Sequence, residues 1–131
     1  MQKVTGLGGV FFKCDDPQAM NDWYAKNLGL PVSAYGVTFE WRHADEPAKK
    51  GSTAWCTFPK DTQYFNPSAK PFMVNYRVQD ITALVAELKA AGVAIVDEIA
   101  EYDYGKFVHI LDPEGNTIEL WEPMGEEVDG G

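Results

Sequence analysis

The sequence predicts an α+β protein made of two paired βαβββ modules, with the strands forming a curved mixed sheet around a cleft and the helices outside. Three observations predict it. First, Val10-Phe11-Phe12-Lys13-Cys14-Asp15-Asp16 resembles Val74-Asn75-Tyr76-Arg77-Val78-Gln79-Asp80 at an offset of 64. Residues 54–59 line up with residues 118–123 at the same offset of 64, and two separated matches at one offset mark an internal repeat. Second, each copy runs from a strand pattern into an Asp, then into an apolar stripe of helical spacing that stops at a glycine, Gly29 or Gly92. Third, residues 106–123 read as a β-hairpin closed by Asp112-Pro113-Glu114-Gly115-Asn116.

Module one spans about 5–59. After its first strand, Asp16 is a natural N-cap and Pro17 suits the first helical position. Met20, Trp23, Tyr24 and Leu28 supply the stripe, and strand candidates follow at 31–34, 37–42 and 53–58. Residues 60–70 form the linker, in which Tyr64 and Phe65 are unusually apolar. Two placements are open for that pair: a lid over the cleft mouth, or packing onto the other half. Module two spans about 71–123, with Asp80 as cap, Ile81, Leu84, Val85, Leu88 and Ala91 as stripe, and strands at 94–98, 106–111 and 117–121. The two modules make one domain over 1–124, and residues 125–131 read as a disordered acidic tail.

Composition narrows the partners. The formal net charge of −9 argues against nucleic acid and anionic membrane, and no apolar run is long enough to span a bilayer. Cys14 and Cys56 are the only cysteines and lie in apolar strand patterns, so a reduced, cytoplasmic setting with small buried thiols is expected. Gly6-Leu7-Gly8-Gly9 precedes a strand, the wrong side for a phosphate-binding helix N-terminus. His43 reads as a solvated loop residue.

In the hairpin, a register symmetric about Glu114 sets His109 opposite Glu119. One face then carries Val108, Ile110, Ile118 and Leu120, which calls for a helix above it. The other carries Phe107, His109, Leu111, Thr117, Glu119 and Trp121, a mixture suited to a cavity wall. The same alternation gives the cleft side Met73, Asn75 and Arg77 from module two, and Gly9, Phe11 and Lys13 from module one. Trp41 and Trp55 lie on strands expected to line it as well. The expected ligand-binding set is thus Phe11, Trp41, Trp55, Met73, Asn75, Arg77 and Trp121. Such walls favour a small aromatic or cationic molecule, although for each Trp taken singly the core between the halves is the preferred reading.

Trp23-Tyr24 followed by Leu28-Gly29-Leu30, and the run from Tyr104-Gly105-Lys106 through Asp112-Pro113-Glu114-Gly115-Asn116 to Ile118-Glu119-Leu120-Trp121, resemble the vicinal oxygen chelate superfamily. That group includes glyoxalases, extradiol dioxygenases and bleomycin-resistance proteins, so the resemblance implies the fold but no single reaction. It also implies a homodimer. In metal-dependent members one ligand lies near the start of the first strand of each half and one on the last strand. Here those positions hold Gly9, Met73, Trp55 and Glu119, so only Glu119 is a retained ligand position and no divalent metal cofactor is expected. His109 and Glu119 remain the catalytic candidates: a carboxylate facing an imidazole raises its basicity, so the pair suits metal-independent proton transfer. The same two residues suit a binder or a structural pair. A metal-dependent lyase or dioxygenase with a rearranged site is the alternative.

Overall fold

The computed structural model describes residues 3–124, so the acidic stretch 125–131 lies outside the described residues. Its elements are β1 (Val4–Cys14), α1 (Pro17–Leu28), β2 (Val37–Arg42), β3 (Lys50–Pro59), β4 (Phe72–Val78), α2 (Ile81–Ala90), β5 (Ala100–Tyr102), β6 (Gly105–Leu111) and β7 (Thr117–Pro123). They form one mixed seven-stranded sheet in the order β2-β3-β1-β4-β7-β6-β5, with two helices, an α+β fold. The two copies meet at β1 and β4, which pair antiparallel, with Gly9 opposite Asn75 and Phe11 opposite Met73. Exchanging residues 64 apart leaves that pairing unchanged, so the repeat is a pseudo-twofold of the sheet.

Both helices start where their caps direct. The Asp16 side chain accepts from the Ala19 amide and the Asp80 side chain from the Ala83 amide, each at 3.1 Å. Gly29 leaves α1 in the left-handed region at φ 69°, which costs glycine little. The helices differ in what they bury. Ile81, Leu84 and Val85 of α2 pack with Val78, Val108, Ile110 and Leu120 into the larger core. None of α1 is fully buried, and Trp23 and Leu28 of its stripe are exposed.

Two strand expectations need correction. Residues 31–34 carry only an isolated bridge, Ser33 to Gly36, because Pro31 withholds an amide and the chain turns at once. Residues 94–98 make one isolated bridge, Ile95 to Ile110, and the strand proper begins at Ala100. Ala91, expected in the α2 stripe, is the C-cap and exposed.

The linker settles on the face of the sheet turned away from the helices. Phe65 is fully buried there, packed with Phe11 and Met73 and against Ala54, Cys56 and Phe58. This second core holds the halves together and occupies one end of the cleft.

Candidate functional site

The hairpin has the expected register, with His109 opposite Glu119 and Leu111 opposite Thr117. Its loop is held by Asp112, whose carboxylate accepts from the amides of Glu114 and Asn116 at 2.9 Å each. Gly115 supplies the left-handed residue at φ 80°. With the aliphatic residues committed to α2, alternation aims His109, Glu119 and Trp121 to the cleft side.

Glu119 is 2% exposed, and both its oxygens are engaged. Oε1 accepts from Nδ2 of Asn75, its neighbour across β4, at 2.6 Å. Oε2 accepts a short hydrogen bond from the Tyr64 hydroxyl and lies 3.0 Å from Nε2 of His109. The other ring nitrogen of His109 lies 2.7 Å from Asp97, which also accepts the His109 backbone amide at 2.8 Å. A continuous hydrogen-bonded run thus leads from half-exposed Asp97 through the imidazole to buried Glu119 and on to the phenol. Burial pushes the imidazole pKa down, but hydrogen bonds to Glu119 and Asp97, with their charges, outweigh it and leave it above the ordinary value. Burial, with the charge of Glu119 second, holds the Tyr64 phenol well above its usual pKa, so it stays a donor. Burial, then Glu119, raises the Cys56 thiol as well.

Two residues further along the same strands the cleft changes character. The Arg77 guanidinium carbon lies 5.3 Å from the Trp41 ring centre and 4.9 Å from that of Trp121. The side chain is 3% exposed, and Trp121 stacks in turn on Phe107 at 5.9 Å with the planes 4° apart. Beside Arg77 opens a cavity of about 300 Å³, lined also by Thr38, Glu40, Lys50, Ser52 and Tyr104. The glycines of β1 make this packing possible. A Cβ on Gly6 would lie 2.6 Å from the Trp41 ring, and one on Gly8 would lie 2.0 Å from Oδ1 of Asn75.

Of the expected cleft residues, the structure brings Arg77 and Trp121 together on the cavity wall, and Asn75, His109 and Glu119 at the polar centre, while Trp41 reaches the Arg77 guanidinium without lining that cavity. Phe11 and Met73 are on the correct face but serve as core beneath Phe65. Trp55 is a correction: it pairs with Val10 on the opposite face, where its ring packs on Tyr24 of α1 at 4.8 Å. Phe11 sits beside Cys56 as Asn75 sits beside Glu119, so on this strand the repeat offset is 63 and the partner of Glu119 is Cys56. His43 is the second correction. It is 9% exposed, with its ring 5.1 Å from that of Trp41, because β2 continues its direction and carries the imidazole against the indole.

The sequence reading missed Asp97; of its two placements for Tyr64 and Phe65 the structure shows packing onto the other half, with Glu119 as the partner of Tyr64. Between the Ile95–Ile110 bridge and the Tyr102–Gly105 pair the register shifts by two residues, and that shift carries Asp97 to His109. No local pattern announces it. Tyr64 was legible as an apolar linker residue, but its target was not.

The four positions that bear ligands in metal-dependent relatives therefore hold Gly9, Cys56, Met73 and Glu119. They do not fit a divalent ion. Glycine has no donor, and a Cβ at Gly9 would lie 2.8 Å from the Phe11 ring, so no longer side chain fits there without moving it. A thioether is a poor ligand for hard cations, and Glu119 already serves Asn75, Tyr64 and His109. Among the described residues, no group of three or more His, Cys, Asp or Glu is arranged to hold a metal ion.

The sequence pattern of the Glyoxalase/Bleomycin resistance protein/Dioxygenase superfamily matches residues 6–120. The chain is 25% identical over 123 residues to the uncharacterised protein YetH of Bacillus subtilis (strain 168), covering 91% of this chain and 99% of that one. In fold it is similar to methylmalonyl-CoA epimerase from Mycobacterium tuberculosis, with TM-score 0.62, 21% identity, and 95% and 92% of the two chains covered. It is also similar to the Mn(II)-bound glyoxalase from Novosphingobium aromaticivorans, with TM-score 0.63 and 20% identity, covering 100% of this chain and 43% of that one.

Proposed function

We propose that this chain, which belongs to that superfamily, binds a small aromatic molecule bearing an acidic group in its cleft, and needs no metal ion to do so. The observation that carries the reading is Arg77, held between the Trp41 and Trp121 rings on the wall of a cavity of about 300 Å³. That volume is at the lower end of small-molecule sites. A guanidinium fixed by two indoles is a preorganised fork for a carboxylate, and the Trp121 and Tyr104 rings that line the cavity suit a planar body. Among the described residues that line the cavity, Arg77 and Lys50 stand with one acid, Glu40, and this composition supports the aromatic half of the expectation with an acidic substituent rather than a cation.

A second reading, metal-independent proton transfer by His109 and Glu119, is favoured by the hydrogen-bonded run from Asp97 to Tyr64. It asks the imidazole to exchange protons with solvent at Asp97 while Glu119 holds it in place. A metal-dependent lyase or dioxygenase reaction asks for donors that Gly9 and Met73 do not supply.

Calorimetric titration of the full chain with benzoate and with benzyltrimethylammonium separates the ligand classes. The expected result is binding of benzoate that is lost in Arg77→Met, with no binding of the ammonium compound. Binding of the cation and not the acid would overturn the proposal.

A further inference from the structure

We propose that Tyr64 is an internal stand-in for a phenolic ligand: its ring swings out to solvent, and the hydroxyl of a small phenol takes its place on Glu119. The idea deepens the reading of the cleft as a small-molecule site and rests on it.

The slot around the Tyr64 ring has the features of a phenol site. Its floor is the Glu119 carboxylate, which accepts the hydroxyl. One side is Phe58, parallel to the Tyr64 ring at 5.8 Å with the planes 4° apart. Another is the His109 ring, edge-on at 5.3 Å and 87°. Aromatic faces and edges of this kind recognise a flat ring, and a buried carboxylate recognises its hydroxyl.

The occupant is poised to leave. Tyr64 is 46% exposed, whereas its neighbour Phe65 is fully buried in the core between the halves. The phenol can therefore depart by rotation about its own side-chain bonds while Phe65 anchors the linker. Its departure leaves Glu119 in place, because Asn75 still holds Oε1 at 2.6 Å and His109 still faces Oε2 at 3.0 Å. The vacated position is then a fixed acceptor waiting for a donor. The raised pKa of Tyr64 gives the same specification, since a neutral phenol is welcome beside Glu119 and a phenolate is not.

The slot also lies within reach of Arg77. Arg77 follows Asn75, and Trp121 follows Glu119, by two positions on the same faces, about 7 Å along the strands. A ring with a hydroxyl at one end and a carboxylate at the other suits both anchors.

The test titrates the full chain at pH 7 with 4-hydroxybenzoate, 4-methylbenzoate and 4-cresol, by calorimetry and by NMR of ring-labelled tyrosine. The methyl compound matches the hydroxyl in size but cannot donate. The expected result is that 4-hydroxybenzoate binds about tenfold tighter than 4-methylbenzoate, the worth of one hydrogen bond to a charged acceptor. At saturation the Tyr64 resonances move to those of a solvent-exposed tyrosine. Tyr64→Phe, which keeps the ring but loses its tether to Glu119, binds 4-hydroxybenzoate several-fold tighter than the wild type. Equal affinity for both benzoates with unmoved Tyr64 resonances would overturn the proposal and leave the Arg77 reading standing. Displacement of Tyr64 by 4-cresol, with no binding of either benzoate, would uphold the proposal and sink the Arg77 reading. Binding of none of the three overturns both.

Discussion

A methyl group on Gly8 would sit 2.0 Å from Oδ1 and 3.0 Å from Cγ of Asn75, so Gly8→Ala must push the amide off its seat. That amide is what holds Oε1 of Glu119, hence the substitution combines overpacking with loss of a buried hydrogen bond to a carboxylate. The expected cost is about 2–4 kcal/mol, read as a lower urea midpoint at unchanged slope. His109 gives a prediction with a sign. Its folded pKa is raised above the ordinary 6.5, so its stabilising contribution is fully present below about pH 6.5 and is lost as pH rises through the folded value. Asp97→Asn removes one of the two carboxylates that raise it. The melting temperatures of wild type and variant are expected to differ most in mildly acidic buffer and to converge as pH rises through the folded pKa of His109. Imidazole nitrogen shifts followed by NMR read that pKa directly, and a midpoint at or below the ordinary value in the wild type would show the sign to be wrong.

The two helices come from one repeat but carry different loads. Leu84 is 4% exposed within the core under α2, while Leu28 is 59% exposed at the end of α1. Leu84→Ala is expected to cost about 2–5 kcal/mol and Leu28→Ala no more than about 0.5 kcal/mol in chemical denaturation. Amide exchange should likewise be slower through α2 than through α1, because opening follows the apolar contact each helix makes. The same contrast shows what the sequence makes legible. Caps, stripes and the hairpin are local, and Asp16, Asp80 and Gly115 act where the pattern places them. Alternation put Asn75, Arg77, His109 and Glu119 on one face correctly, because it needs only the strand and the identity of its buried side. It failed for Trp55, since a constant repeat offset hides a one-residue slip that turns every side chain of the strand over. It could not reach Asp97 or Tyr64, whose positions follow from a register shift and from the path of a linker across the sheet.

Across the whole molecule the pseudo-twofold relates two ends that have taken different work. On the first half, the positions facing the cleft are Gly9, Phe11 and Cys56, and the linker packs Phe65 onto Phe11 and Cys56 in an apolar core. On the second half, the related positions are Met73, Asn75 and Glu119; Met73 joins the core under Phe65, while Asn75 and Glu119 form the polar centre. A divalent ion bound between the halves would need donors from both, and the first half offers only Cys56, whose thiol burial and Glu119 keep protonated. Seating an ion would also require Glu119 to give up Asn75, Tyr64 or His109. Protein purified without chelator is therefore expected to hold well under one equivalent of any transition metal. Manganese or zinc added at many times the protein concentration should leave its melting temperature unchanged, since a ligand that binds the folded state at a specific site raises it by mass action. A stoichiometric metal that survives dialysis and is lost with Glu119→Gln would contradict this. It would mean that the carboxylate can exchange its three protein partners for an ion, and that the cleft opens further than Tyr64 alone accounts for.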